Sequence, residues 1–134
     1  MNFLILTISL LTLLGGSNLK VKDGWMRPGA KGMMTAGYFK IVNKENQPDT
    51  LYKAEANFCK KAELHETYKK GDMMGMRPTP IVVINAKSTF EFKPGAHHVM
   101  LMNLKKNIKA GDQESITLFF KHHDAIKVIL KAKE

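Results

Sequence analysis

Short runs in which apolar and polar residues alternate, each closed by a turn signal, dominate this chain. Alternation with period two marks a strand buried on one face only. The pattern predicts strands at Leu19–Met26, Thr35–Asn43, Thr50–Ala56, Ala62–Tyr68, Met73–Pro78, Ser88–Phe92, His98–Leu104, Ser115–Lys121 and Ala125–Ala132. Breakers separate them: Pro28-Gly29, Gln47-Pro48-Asp49, Lys70-Gly71-Asp72, Pro94-Gly95 and Ala110-Gly111-Asp112. Strands and turns recurring every ~8–12 residues are the mark of an all-β sandwich or barrel. Beyond the first residues no segment holds a helical period of about 3.6 residues over three turns. The expected architecture is a Greek-key β-sandwich.

Residues 1–17 break this pattern. They carry no charged side chain, and the apolar run Phe3–Leu14 is shorter than the roughly 20 residues a membrane span needs. Gly15 and Ser17 supply the small residues of a cleavage site, so 1–17 is read as a signal peptide and Asn18 as the mature start. Because no Lys or Arg precedes the apolar run, an uncleaved anchor is the alternative. Ser17 stands where a lipid-acceptor cysteine would be needed, which argues against a lipid anchor. Residues 18–134 then form one domain, large enough to bury a core without disulfides.

Cys59 is the only cysteine, so no internal disulfide forms, and a lone thiol in an exported domain is expected to be buried as a small hydrophobe. The net charge is +9, with only Arg27 and Arg77 as arginines. Lysines scattered singly or in pairs suit a solvated surface. A nucleic-acid reader would show clustered Arg with interleaved aromatics on one face, so no nucleic-acid partner is expected. The basic surface would favour an acidic partner or an anionic membrane surface.

The candidate chemistry lies in soft metal ligands. Ten residues separate His65 from Met76, twenty-one more lead to His98, and Met100 stands two beyond it. Thioether sulfur with imidazole nitrogen suits Cu(I), whereas Mg²⁺ or Ca²⁺ would need oxygen ligands. Alternation puts His98, Met100 and Met102 on one strand face, leaving Val99 and Leu101 for the core. A buried Leu64 would likewise turn His65 outward. A hairpin turn at Lys69–Asp72 returns the chain toward Met76, so His65, Met76, His98 and Met100 could meet. Taken singly, each of these is an ordinary surface or gap-filling residue.

At these residues the chain resembles the periplasmic copper chaperones of the PCuAC type, whose signature is His, ten residues, Met, twenty-one residues, His-x-Met. Around it, Ala36-Gly37-Tyr38-Phe39, Pro48-Asp49-Thr50-Leu51, Glu63-Leu64-His65-Glu66-Thr67, Met76-Arg77-Pro78 and Lys93-Pro94-Gly95 also resemble the family, from about Val21 to Leu130. The resemblance implies an all-β, cupredoxin-like Greek-key β-sandwich and a periplasmic location. It implies one Cu(I) per chain at an exposed edge, held by His65, Met76, His98 and Met100. It further implies delivery toward the CuA centre of cytochrome c oxidase, possibly with a Sco-type thiol protein. A monomer without stable membrane insertion after processing is expected. Some relatives carry a His- and Met-rich tail, whereas this chain ends at Lys133-Glu134. The pair His122-His123 is read as a turn before the last strand, and His97 as a surface residue that could add a nitrogen ligand for Cu(II).

Two other uses of copper compete. Buffering or resistance would need the same reversible ligands. Electron transfer of the blue-copper kind needs a Cys thiolate beside two His, and only Cys59 could supply one. No nucleophile elbow, phosphate loop or paired-carboxylate arrangement stands out, so a binding protein is expected rather than an enzyme.

Overall fold

The computed structural model describes residues 18–134, and the predicted signal peptide at 1–17 lies outside them. Ten strands are formed: β1 (Leu19–Met26), β2 (Thr35–Asn43), β3 (Asp49–Ala56), β4 (Cys59–Lys70) and β5 (Met73–Pro78), then β6 (Val82–Ile84), β7 (Ser88–Phe92), β8 (His97–Leu104), β9 (Gln113–Phe120) and β10 (Ile126–Ala132). Nine match the expected strands within a few residues at their ends. The added one, β6, has only three residues after Pro80, too few for alternation to register. It pairs antiparallel with β3 and buries Val82 and Ile84.

Hydrogen bonds join the strands in the order β5-β4-β8-β2-β1-β10-β9-β3-β6, with β7 beside β2. Strand β2 pairs with β8 through Thr35–Gly37 and with β7 through Phe39–Asn43. One long strand thus serves both parts of the fold. The sheet curls until β3 packs against β4, giving the expected cupredoxin-like sandwich. Its core holds Phe39 stacked on Phe92 at 4.5 Å, with Ile41, Leu51, Ile84, Leu101, Leu118 and Leu130 fully enclosed. Strand β1 runs antiparallel to β2 and parallel to β10, and its register slips between Lys22 and Trp25. The slip is made by Asp23 at φ 57° and by Gly24, where a Cβ would stand 2.3 Å from the Ile129 carbonyl oxygen. Only glycine allows that approach.

One buried polar group ties two loops together. The Asp49 carboxylate, 1% exposed, accepts hydrogen bonds from the Thr50 N–H at 2.6 Å and the His122 N–H at 3.0 Å, and contacts the His123 imidazole. The other His123 nitrogen reaches Glu45 at 3.0 Å. Burial opposes the Asp49 charge, but its hydrogen bonds to His123, Thr50 and His122 outweigh that cost and lower its pKa. Burial likewise disfavours the His123 cation, yet Glu45 and Asp49 raise its pKa. The His122-His123 pair sits in the bend between β9 and β10, the expected turn. Among the described residues no helix is long and apolar enough to cross a membrane.

Candidate metal centre

The predicted ligands fall on three adjacent strands. On β8, Val99 and Leu101 point into the core and are fully buried, which turns His98 and Met100 to the opposite face. On β4, buried Leu64 does the same for His65. The β4–β8 register sets His65 directly opposite His98, and Glu63 opposite Met100. The β4–β5 register sets Thr67 opposite Met76 and His65 opposite Pro78. All four candidates therefore share the outward face, with Met76 diagonal to His65. The hairpin joining β4 to β5 turns through Gly71 at φ 63°, as a residue in left-handed conformation requires.

Burial divides the four. His98 and Met100 are 2% and 6% exposed, and the His65 side chain is 13% exposed. Met76 is 60% exposed on β5, the strand at the end of the sheet order. A row of rings leads to the two imidazoles: Trp25 lies 4.6 Å from Tyr38, Tyr38 6.5 Å from His98, and His98 5.9 Å from His65, all between centroids.

Each imidazole is held by one nitrogen and leaves the other unpaired. His65 Nε2 donates to the Glu63 carboxylate at 2.9 Å, and His98 Nδ1 donates to the Ala96 carbonyl oxygen at 3.3 Å. Acceptors at those positions fix the tautomers, so His65 Nδ1 and His98 Nε2 carry lone pairs. Both atoms are buried and have no hydrogen-bond partner, an arrangement that normally costs free energy. Two buried, unpartnered imidazole nitrogens on residues paired across β4 and β8 are chemically suited to hold a metal ion. Imidazole ligands are typically aimed in this way, by a carboxylate or carbonyl on the far nitrogen.

The supports are themselves fixed. The Ala96 oxygen also accepts the Thr67 N–H at 3.0 Å, and the Ala96 N–H donates to the Lys93 carbonyl at 3.0 Å across the Pro94-Gly95 turn. Glu63 is anchored by Lys61 at 2.9 Å. Hydrogen bonds from Lys61 and then His65 lower the Glu63 pKa, so it stays anionic. Burial, together with the neighbouring His65 and His97 rings, lowers the His98 pKa against the Ala96 bond. That keeps the ring neutral and its lone pair free.

Spacing alone does not mark Glu63, Ala96, Tyr38 or Trp25 as parts of the site. Glu63 was within reach, because it stands two residues before His65 and so shares its strand face. The Ala96 carbonyl and the two rings depend on turn geometry and on β1–β2 pairing, which no spacing announces. His97 falls on the other face, 3.7 Å from Glu66 and edge-on to Phe90 at 5.0 Å, and so does not join the group. Cys59 is buried in the core, its pKa raised by that burial. Six residues of extended chain, about 20 Å, separate it from His65 along β4, which removes it as a thiolate partner for the histidines.

Comparison with known proteins gives the family and the fold. Residues 19–132 match a family model described as "LpqE-like: Putative lipoprotein LpqE-like". The chain is 29% identical over 117 residues to "Putative lipoprotein Lxx21020" of Leifsonia xyli subsp. xyli (strain CTCB07), covering 87% of this chain and 70% of that protein. It spans 56% to 70% of the length of the curated relatives it matches. Among solved structures it is similar to "Solution structure of CuI-DR1885 from Deinococcus Radiodurans", at 30% identity and a TM-score of 0.66, covering 89% of this chain and 82% of that one. It shares the fold of "Copper-bound PCuAC domain from PmoF2", at 19% identity and a TM-score of 0.73, covering 87% of this chain and 93% of that one.

Proposed function

We propose, starting from the fact that the chain belongs to the LpqE-like family and is of the PCuAC type, that it is an exported copper chaperone. It holds one Cu(I) through His65, Met76, His98 and Met100 and passes it to an acceptor. The carrying observation is the pair of buried, unpartnered imidazole nitrogens, His65 Nδ1 and His98 Nε2, on one face with both thioethers. Among the described residues no three His, Cys, Asp or Glu side chains converge to hold a metal ion. In this reading the thioethers complete the set, and thioether sulfur favours Cu(I) over zinc or harder ions. The copper-loaded states named for DR1885 and for the PmoF2 domain support the choice of metal.

The split in burial suits transfer. Met76, exposed on β5, is the ligand an acceptor can replace first, while His98 and Met100 hold the ion from beneath. Thioethers bind without losing a proton, so only the histidines face proton competition. The acceptor proposed is the CuA centre of cytochrome c oxidase, reached directly or through a Sco-type thiol protein. A surface with net charge +9 suits docking on an acidic partner. Cleavage of a signal peptide at residues 1–17 would release the domain into the periplasm, and the lipoprotein names of relatives support an envelope location. The protein acts by binding, not by catalysing a reaction.

A Cu(I) competition titration under reducing conditions tests this reading. The protein should bind one equivalent tightly, His65→Ala should abolish that affinity and Met76→Ala should weaken it. Binding indifferent to both substitutions would overturn the assignment.

A further inference from the structure

Sulfur continues along the outward face on the far side of Met100. Met102 follows by two residues on β8 and is half-buried. The β2–β8 register runs Gly37 to Val99, Ala36 to Met100 and Thr35 to Leu101. The pairing ends at Thr35 and Leu101; continued by one residue, it would set Met34 opposite Met102. The chain stays beside β8 there, because the Leu104 N–H donates to the Met33 carbonyl at 2.9 Å and the Gly32 N–H to the Leu104 carbonyl at 2.8 Å. Between Met102 and Leu104, Asn103 stands at φ 58°. Met34 is 59% exposed, so the pair opens to solvent at its outer side.

On the third strand Lys61 faces Met102, but its ammonium is drawn to Glu63 at 2.9 Å and its charge is met by that carboxylate. Residues directly opposite in antiparallel strands place their Cβ atoms about 4.5–5.5 Å apart, and positions i and i+2 lie roughly 7 Å apart. Methionine has three rotatable bonds, which at such spacings would let the sulfurs of Met34, Met102 and Met100 converge. Three neutral thioethers suit a soft d¹⁰ ion and offer nothing to Mg²⁺, Ca²⁺ or Zn²⁺.

We propose that Met34, Met102 and Met100 form a second, weaker position for a soft monovalent cation, Cu(I) or Ag(I), next to the His65–His98 pair and sharing Met100 with it. Movement between the two positions is ligand exchange. Bonds to Met34 and Met102 break as bonds to His65 and His98 form, Met100 stays bound, and neither electrons nor protons move. The solvent-open thioether pair is then an entry point to the buried seat. The shared-ligand step rests on the copper reading above, whereas the Met34–Met102 position stands on its own.

The test is an Ag(I) titration of the protein carrying ¹³C at its methionine methyls. The first equivalent is expected to shift the methyls of Met76 and Met100, and the second those of Met34 and Met102 with a further shift of Met100. The double variant Met34→Leu/Met102→Leu, which keeps side-chain volume and leaves His65, Met76, His98 and Met100 in place, should retain the first equivalent and lose the second. Methyls of Met34 and Met102 unmoved through two equivalents would overturn the proposal, as would a second equivalent surviving in the double variant. A first equivalent that leaves Met76 unmoved would instead count against the copper reading, while the Met34 and Met102 methyls still decide the second position.

Discussion

Glu63 offers the sharpest test of how the buried lone pairs are aimed. Its carboxylate accepts the His65 Nε2–H at 2.9 Å and the Lys61 ammonium at 2.9 Å. Glu63→Gln keeps the size of the side chain and removes its charge. A charge-assisted hydrogen bond becomes a neutral one, about half as strong, so His65 Nδ1 becomes a poorer donor. The amide can also present its NH₂ to Nε2, which would move the ring proton to Nδ1 and block the ligand. Loss of such a supporting partner typically lowers metal affinity about 10–100-fold, or roughly 1.4–2.7 kcal/mol. The fold should barely respond, because Lys61 is 66% exposed and Glu63 31%, and an ion pair so placed contributes at most about 1 kcal/mol. The assay is Cu(I) competition against a chromophoric chelator, run beside denaturant unfolding of the apo variant. A Cu(I) affinity within twofold of the parent would refute the role of Glu63. An affinity loss matched by an equal loss of apo stability would show that the carboxylate serves the fold instead.

Burial and charge in the same domain set other outcomes. Met100→Ala, at 6% exposure, should destabilise the apo protein by about 2–5 kcal/mol in denaturant unfolding, whereas Met76→Ala, at 60% exposure, should leave it nearly unchanged. Equal losses would contradict the placement of Met76 in solvent. Asp49→Asn should cost about 3–5 kcal/mol by breaking a buried pair, and that cost should depend on pH. The Asp49 pKa is lowered from 3.8, so its stabilisation holds above that value and is lost as pH falls through the folded pKa. The His123 pKa is raised from 6.5, so its stabilisation holds below that value and is lost as pH rises through the folded pKa. The stability difference between parent and variant should therefore be largest between about pH 4 and 6.5 and shrink on either side. A difference flat from pH 3 to 9 would remove the pair from the stability of the domain.

Much of this fold could be read from alternation alone, because strands buried on one face advertise their period. Val99 and Leu101, fully buried, predict the outward turn of His98 and Met100 without any knowledge of neighbouring strands. Strand β6 could not be read, since three residues carry too little pattern. The candidate site was legible in its residue types and in which face each occupies. Its depth was not: His98 and Met100 are buried on an outward face, where Tyr38 arrives from β2 beside His98 with Trp25 of β1 against it. Pairing between strands distant in sequence brings these rings together, and local spacing does not encode it. The tautomers were hidden for the same reason, being set by the Ala96 carbonyl and the Glu63 carboxylate.

The most direct measurement is copper K-edge X-ray absorption on the protein loaded with one equivalent of Cu(I), its methionines replaced by selenomethionine. A site of His65, Met76, His98 and Met100 predicts selenium scatterers in the first shell together with imidazole nitrogens, and loss of one selenium in Met76→Leu. A first shell without selenium, or one built on sulfur from Cys59, would contradict the assignment.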